Sequence, residues 1–328
     1  MKRNYLLAFT IFTTVLSGGC DTELRINESG NLVPKTADQD PSIPAIKINN
    51  ALLHAEAFGP PAGPMIVVLH GGPGADYRYL LNCKEFTNQG YRVVFYDQRG
   101  AGLSQRFPKS HYTMQVLYDD LSGVISYYRT SPTQKVFFLG HSWGAMLASA
   151  YINQYPTVIS GAILGEPGGL IWKDVEDYIS RSRKFEPLSE TLSDAVYADQ
   201  FITGKEDEHA ILDYKLMLQV SGESSEIGNE GKVPAWRSGA VTFNAYLELG
   251  DKEKPNWTNN LNKYTPKVLF IYSANNKAYG LSHAQKVSSV YATVQLFKTE
   301  GAGHDMLSFP IGWNNTYPVM LAYLNSLK

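Results

Sequence analysis

The sequence predicts an α/β fold, a mostly parallel central sheet with a helical cap inserted into it. Three observations carry this expectation. Apolar-rich runs at residues 65–69, 91–96, 135–139, 158–164, 268–272 and 294–297 read as strands, and the run at 65–69 is apolar throughout, the mark of a strand buried on both faces. Several of these runs end in glycine-bearing loops and lead into helical patterns, the alternation that builds a parallel sheet. The stretch from Leu170 to about Lys263 breaks that order, being richer in charge and helically patterned with no buried-strand run.

The whole chain sets outer bounds. Its 328 residues, 44% hydrophobic and 18% charged, suffice for one large domain with an insertion. A net charge of -2 leaves no basic footprint for nucleic acid. The only cysteines are Cys20 and Cys83, so no disulfide framework is expected. There is no Cys-x-x-Cys or His-Glu-x-x-His, so neither a metal nor a cofactor is expected.

The N-terminus reads as a targeting segment. Met1-Lys2-Arg3 is a basic start, and residues 6–16 form an apolar run too short for the roughly 20 residues that span a bilayer. Leu16-Ser17-Gly18-Gly19-Cys20 then resembles a bacterial lipobox, with Ser17 where leucine is usual. Residues 1–20 are therefore expected to be a lipoprotein-type signal peptide, with Cys20 carrying the lipid. The expected location is the bacterial cell envelope, on a membrane anchor. An ordinary secretory signal with an incidental cysteine is the alternative, and would release the protein. Residues 21–44, polar and bearing Pro34, Pro41 and Pro44, read as a flexible tether.

The core is expected at residues 45–169 and 264–328. Two short strands within 45–58 meet at Asn49-Asn50, a turn-prone pair. The run at 65–69 delivers His70-Gly71-Gly72-Pro73-Gly74 at its carboxyl end, where ligands bind in open α/β sheets. Helices are expected at 77–89 and 114–129. The run at 91–96 ends in Asp97-Gln98-Arg99-Gly100-Ala101-Gly102-Leu103-Ser104, whose Asp-Arg pair is expected to fix the loop. The cap, 170–263, shows helical patterns at 172–185, 192–201 and 208–220. Its aromatic residues, among them Trp172, Tyr178, Trp236 and Phe243, either line a pocket or form the cap's own core.

The chemistry centres on Val136-Phe137-Phe138-Leu139-Gly140-His141-Ser142-Trp143-Gly144-Ala145. An apolar run enters Gly-x-Ser-x-Gly and leaves as a helix former, which is a strand, a sharp turn with Ser142 at its tip, then a helix. The glycines are needed because the turn strains the backbone and strand and helix pack closely. Such a turn exposes Ser142 Oγ and sets the Trp143 N–H beside it at a helix start, where developing negative charge is favoured. Gly72 is the expected second oxyanion donor, and Gly71 the weaker choice. Of seven histidines, only His304, in Gly301-Ala302-Gly303-His304-Asp305-Met306 after the last strand, has the position of a general base.

Together the His70–Gly74 loop, the Asp97–Ser104 loop, Gly140-His141-Ser142-Trp143-Gly144 and Gly303-His304 resemble the proline iminopeptidase branch of the α/β-hydrolase superfamily. The resemblance runs from about Ile66 to the C-terminus and implies the α/β-hydrolase fold and serine-type hydrolysis. Two departures stand out. The family's cap usually carries a Trp-Glu element whose carboxylate helps hold a substrate's amino group, and the nearest counterpart here is Trp236-Arg237-Ser238. The usual triad acid after the strand at 268–272 falls on Asn276, which cannot stabilise an imidazolium as a carboxylate does. Glu166, at the end of the preceding strand, is the expected replacement; the rival reading makes it a loop residue and leaves a dyad. Asp305, adjacent to His304, is expected to point elsewhere.

The resulting expectation is a serine hydrolase of a small ester, amide or short peptide. Its catalytic residues are Ser142, His304 and Glu166, with Gly72 and Trp143 as the oxyanion hole. A proline iminopeptidase-type aminopeptidase and a non-catalytic ligand-binding envelope protein are the alternatives, the second motivated by Asn276. Epoxide hydrolase or dehalogenase chemistry would need a carboxylate where Ser142 stands.

Overall fold

The computed structural model describes residues 32–182, 208–220 and 226–328. Eight strands form one sheet: β1 (Ala45–Ile48), β2 (Ala51–Phe58), β3 (Met65–Leu69), β4 (Arg92–Tyr96), β5 (Val136–His141), β6 (Gly161–Gly165), β7 (Val268–Ser273) and β8 (Val294–Thr299). Their order is β1-β2-β4-β3-β5-β6-β7-β8. The first two pairings, β1 with β2 and β2 with β4, are antiparallel, and all the others are parallel. β3, β5, β6 and β7 are buried at every residue, in keeping with their apolar-rich composition. At the edge, β1 alternates exposed and buried residues. Asn49 and Asn50 both take positive φ, 47° and 62°, which a two-residue hairpin turn matched to strand twist demands.

The described α-helices are α1 (Met114–Tyr128), α2 (Trp143–Gln154), α3 (Trp172–Ser182), α4 (Glu208–Val220), α5 (Ala240–Glu253), α6 (Gly280–Ser288) and α7 (Pro310–Ser326), of which α1, α2, α6 and α7 pack on the sheet. Thr113 caps α1 by accepting from the Val116 N–H. Residues 78–89, expected as a helix, form a 3-10 helix that ends at Gly90 in the left-handed region. Two buried clusters lie on opposite faces of the sheet. One gathers Val67, Phe138, Leu164 and Phe270 with α1 and α2, the other Val68, Leu139, Ile163 and Ile271 with Phe86, Met320 and Leu324. That division follows the period-2 alternation of strand side chains.

One expectation changes. The tether does not reach residue 44. Val33, Thr36 and Ala37 are buried, Ala37 N–H donates to Leu103 O at 2.8 Å, and Arg237 Nη1 donates to Pro34 O at 2.7 Å. Polar composition suggested coil, but Thr36 with Asp38 and Ser42 with Asp40 close local side-chain turns that hold this stretch against the body. The pattern at 192–201 and the leader with Cys20 lie outside the described residues. α6, in the core, was not anticipated.

In the cap, α3 and α4 fall within the helical patterns at 172–185 and 208–220, whereas α5 was not anticipated. Asp213 of α4 is fully buried and accepts from Arg237 Nε at 2.7 Å, Arg106 Nε at 2.9 Å and Ala240 N–H at 2.8 Å. This cluster ties α4 to the start of α5 and to the loop after β4. Removing one partner from a buried ion cluster typically costs about 3–5 kcal/mol.

Candidate active site

β5 ends at His141 and α2 begins at Trp143, so Ser142 alone makes the turn. It does so at φ 53° and ψ -120°, a conformation L residues rarely adopt. The surroundings hold it there. Ser142 N–H donates to Gly165 O at 2.8 Å, and Ser142 O accepts from Ala145 and Met146 N–H at 3.0 and 3.1 Å. A Cβ on Gly140 would lie 2.5 Å from Gly144 O, and one on Gly144 would lie 2.0 Å from Leu69 O. Both glycines are therefore fixed by close packing between strands and helix, as the sequence reading required.

The loop after β3 approaches the same turn. A Cβ on Gly71 would lie 3.2 Å from Ser142 Cβ, so this backbone passes directly beside the serine. Gly71 N–H is occupied, donating to Tyr79 Oη at 2.7 Å. Gly72 sits at φ 122°, and its N–H takes no acceptor among the described residues. Trp143, first in α2, has no intrahelical acceptor for its N–H. Among the described residues, neither N–H expected at the oxyanion position is spent on an internal hydrogen bond.

Neighbouring loops are pinned by buried polar contacts. Asp97 accepts from Tyr77 N–H at 3.0 Å and Leu103 N–H at 2.8 Å and pairs with His54 Nδ1 at 2.7 Å. Arg99 holds Asp120 through two hydrogen bonds of 2.8 Å. Asp97 and Arg99, each bonded to other partners, thus fix the loop after β4 as expected. His70 and Gln98 interlock, and Gln98 Oε1 accepts from the Trp143 indole at 3.0 Å.

Glu166 leaves β6 at φ 44° with its N–H on Ile271 O, and its carboxylate is fully buried. Four donors converge on it. Ser273 N–H and Oγ–H reach Oε1, both at 2.7 Å, while Asn276 Nδ2 and His304 Nδ1 reach Oε2 at 2.7 and 2.6 Å. Asn276 is 3.5 Å from His304 Nδ1, its Nδ2 also donates to Tyr178 Oη at 3.1 Å, and its Oδ1 accepts from Tyr279 N–H. Both amide ends therefore have fixed partners.

The His304 ring packs on that of His141, centroids 4.7 Å apart, and His141 Nε2–H donates to His304 O at 2.8 Å. Burial alone would lower the His304 pKa, but the hydrogen bond and charge of Glu166, with Asp305 beyond, outweigh it and leave it raised. For His141, burial and the neighbouring His304 push the pKa down to about 4. It is therefore neutral at ordinary pH.

The structure brings Glu166 onto His304, and Gly71 beside Ser142. Asp305 turns its side chain away to Asn229. Two neighbours of His304 were not recognised in the sequence: Tyr178 of α3, 3.4 Å from Nδ1, and the segment at 226–229. Among the described residues no group of His, Cys, Asp and Glu is arranged to hold a metal ion.

Sheet order, crossover helices and a serine at the strand–helix turn after the fifth strand define an α/β-hydrolase. The chain belongs to the family described as "Serine aminopeptidase, S33", whose model matches residues 60–308. It is therefore an α/β-hydrolase family serine hydrolase, of the proline iminopeptidase-like branch. It is similar to proline iminopeptidase PfmaB of Pestalotiopsis fici, 26% identical over 275 residues that cover 80% of this chain and 92% of that one. Among solved structures it resembles an esterase from Thermogutta terrifontis, with TM-score 0.60, 19% identity and 86% and 98% of the two chains covered. It also resembles the proline iminopeptidase of Mycobacterium smegmatis, with TM-score 0.56, 16% identity and 86% and 96% covered. At these identities the structures speak to fold alone.

Proposed function

We propose that this chain hydrolyses a small ester, amide or short peptide through an acyl-enzyme on Ser142. The observation that carries the reading is the 2.6 Å contact between the buried Glu166 carboxylate and His304 Nδ1. With Nδ1–H held by an anion, the Nε2 lone pair is left to act as base, and the imidazolium formed is stabilised. Ser142 Oγ attacks the substrate carbonyl as its proton passes to His304 Nε2. The oxyanion is held by the Gly72 and Trp143 N–H groups. Collapse expels the alcohol or amine, which takes that proton. Water, deprotonated by His304, then attacks the acyl group and frees Ser142.

An aminopeptidase reading is favoured by the names of the relatives. Against it stands Arg237, in Trp236-Arg237-Ser238, which is buried and committed to Asp213. The nearest sequence counterpart of the family's amine-holding carboxylate is thus a cation already paired within the protein. Hydrolysis of p-nitrophenyl esters against aminoacyl-arylamides, each with Ser142→Ala as control, tests both readings. Ester turnover lost in Ser142→Ala supports the proposal, whereas arylamide turnover with no ester turnover favours the aminopeptidase.

The proposal also places the protein at a bacterial cell envelope, lipid-anchored at Cys20, on the strength of the leader sequence alone. Among the described residues no helix is long and apolar enough to cross a membrane. Membrane fractionation of Cys20→Ser tests the anchor. Release or failed maturation supports it; normal maturation with membrane retention rules it out.

A further inference from the structure

The loop carrying His304 has no regular structure of its own and contains Gly301 and Gly303, so something else must fix it. Part of the answer is a cap segment, the strap at 226–229 that precedes α5. His304 N–H donates to Ile227 O at 2.8 Å, and Asp305 N–H donates to Asn229 Oδ1 at 2.8 Å. Asn229 Nδ2 returns a hydrogen bond to Asp305 Oδ2, closing a reciprocal pair. Backbone packing is tight on both sides. A Cβ on Gly303 would lie 2.1 Å from Gly228 O, and one on Gly228, at φ 64°, would lie 2.3 Å from Asn275 O.

The strap also grips the second loop of the site. Lys277 N–H donates to Glu226 O at 2.9 Å, one residue from Asn276, which in turn holds Glu166. A single cap segment thus ties down both the loop bearing His304 and the loop bearing Asn276.

We propose that this strap sets the catalytic geometry of His304, with Asn229 and Asp305 as positioning residues. The inference rests on the reading of His304 as general base. Asn229 acts by holding the loop, and Asp305 by holding it and by charge. The groups facing His304 are Glu166 from the end of β6, His141 from β5, Tyr178 from α3 and Asn276 from the loop after β7, with Asp305 next to His304 in the chain and within reach by charge. Burial keeps His141 and Tyr178 neutral. Of the nearby carboxylates, Glu166 touches Nδ1, and Asp305 adds its charge through space; both favour the protonated ring. Asp305 Oδ1 lies 3.9 Å from Nδ1 of His141, whose ring packs on that of His304.

The two roles separate by substitution. Asp305→Asn keeps shape and can still accept from Asn229, but removes the charge that favours imidazolium. The acidic limb of kcat/KM, which reports the free base, should move to lower pH. Asn229→Ala removes both side-chain bonds and should lower kcat by about ten- to a hundredfold, since sub-ångström to ångström misplacement carries costs of that order. A bystander role in loop packing would leave the limb in place. Should Asn229→Ala fold poorly by thermal melting, the near-isosteric Asn229→Asp, which opposes Asp305 with a second carboxylate, takes its place with the same expected fall in kcat. The proposal requires both effects. An unmoved limb in Asp305→Asn, or a kcat within twofold of wild type in the Asn229 variant, overturns it, provided Ser142→Ala is inactive. Turnover persisting in Ser142→Ala overturns instead the catalytic reading beneath it.

Discussion

Replacing Glu166 by glutamine removes one negative charge and converts one acceptor oxygen into an NH2 group. In the native site four donors point at the carboxylate, two on each oxygen. A glutamine oxygen directed at Ser273 leaves its NH2 facing the Asn276 NH2 and the His304 N–H. Turned the other way, its NH2 faces the Ser273 backbone N–H, which cannot reorient. In either rotamer donors oppose donors, and His304 loses the anion that stabilises its protonated form. Loss of the corresponding charge in a serine triad costs about 10⁴ in kcat, or about 5 kcal/mol of transition-state stabilisation. The assay is kcat and kcat/KM for an activated ester across pH, with thermal unfolding as a check on folding. Because the Glu166 hydrogen bond and charge raise the His304 pKa, the acidic limb should shift to lower pH as kcat falls. A Glu166→Gln enzyme within tenfold of wild type, with its limb unmoved, would refute the reasoning and leave a Ser142–His304 dyad.

Three further outcomes follow from the same geometry. Asn276 Nδ2 stands 3.5 Å from His304 Nδ1, so Asn276→Asp in the Glu166→Gln background should recover about ten- to a hundredfold in kcat; no recovery would show that residue 276 cannot serve the histidine. Gly144→Ala, with its Cβ set 2.0 Å from Leu69 O, should abolish soluble expression or lower the unfolding midpoint sharply, and a protein of normal stability would contradict the packing at the turn. Burial lowers the pKa of His70, His141 and His283, so the unfolded chain takes up protons that the native chain refuses; urea midpoints should fall as pH drops from about 6.5 toward 4. His304, whose pKa is raised, opposes that trend, and a midpoint that rises on acidification would count against the burial of these rings.

The buried strands were legible because a strand covered on both faces is apolar along its length, as Met65–Leu69 is throughout and Val268–Ser273 is up to its terminal serine. The glycines of the elbow were legible because backbone approaches of that closeness admit no other residue. The Glu166–His304 contact could be anticipated from chemistry: an amide at 276 left the imidazole without an anion, and the end of the adjacent strand supplied one. Other features had no local signal. The stretch from Val33 has the composition of coil, and its burial depends on Leu103 and Arg237, both distant in sequence. The strap at 226–229 reaches His304 across some 75 residues, and its signature, an Ile-Gly-Asn turn, is that of countless surface loops. Tyr178 was visible as an aromatic residue on a helix, but its approach to His304 is a product of tertiary packing.

The central claim is that Ser142 is the nucleophile and His304 its activating base. Its most direct test is labelling the purified protein with a fluorophosphonate, followed by peptide mass spectrometry. The predicted result is one adduct per chain, on the peptide containing Ser142, formed in step with loss of ester turnover and suppressed in His304→Ala. Ester turnover that survives complete modification of Ser142, or turnover with no adduct at that residue, would contradict it.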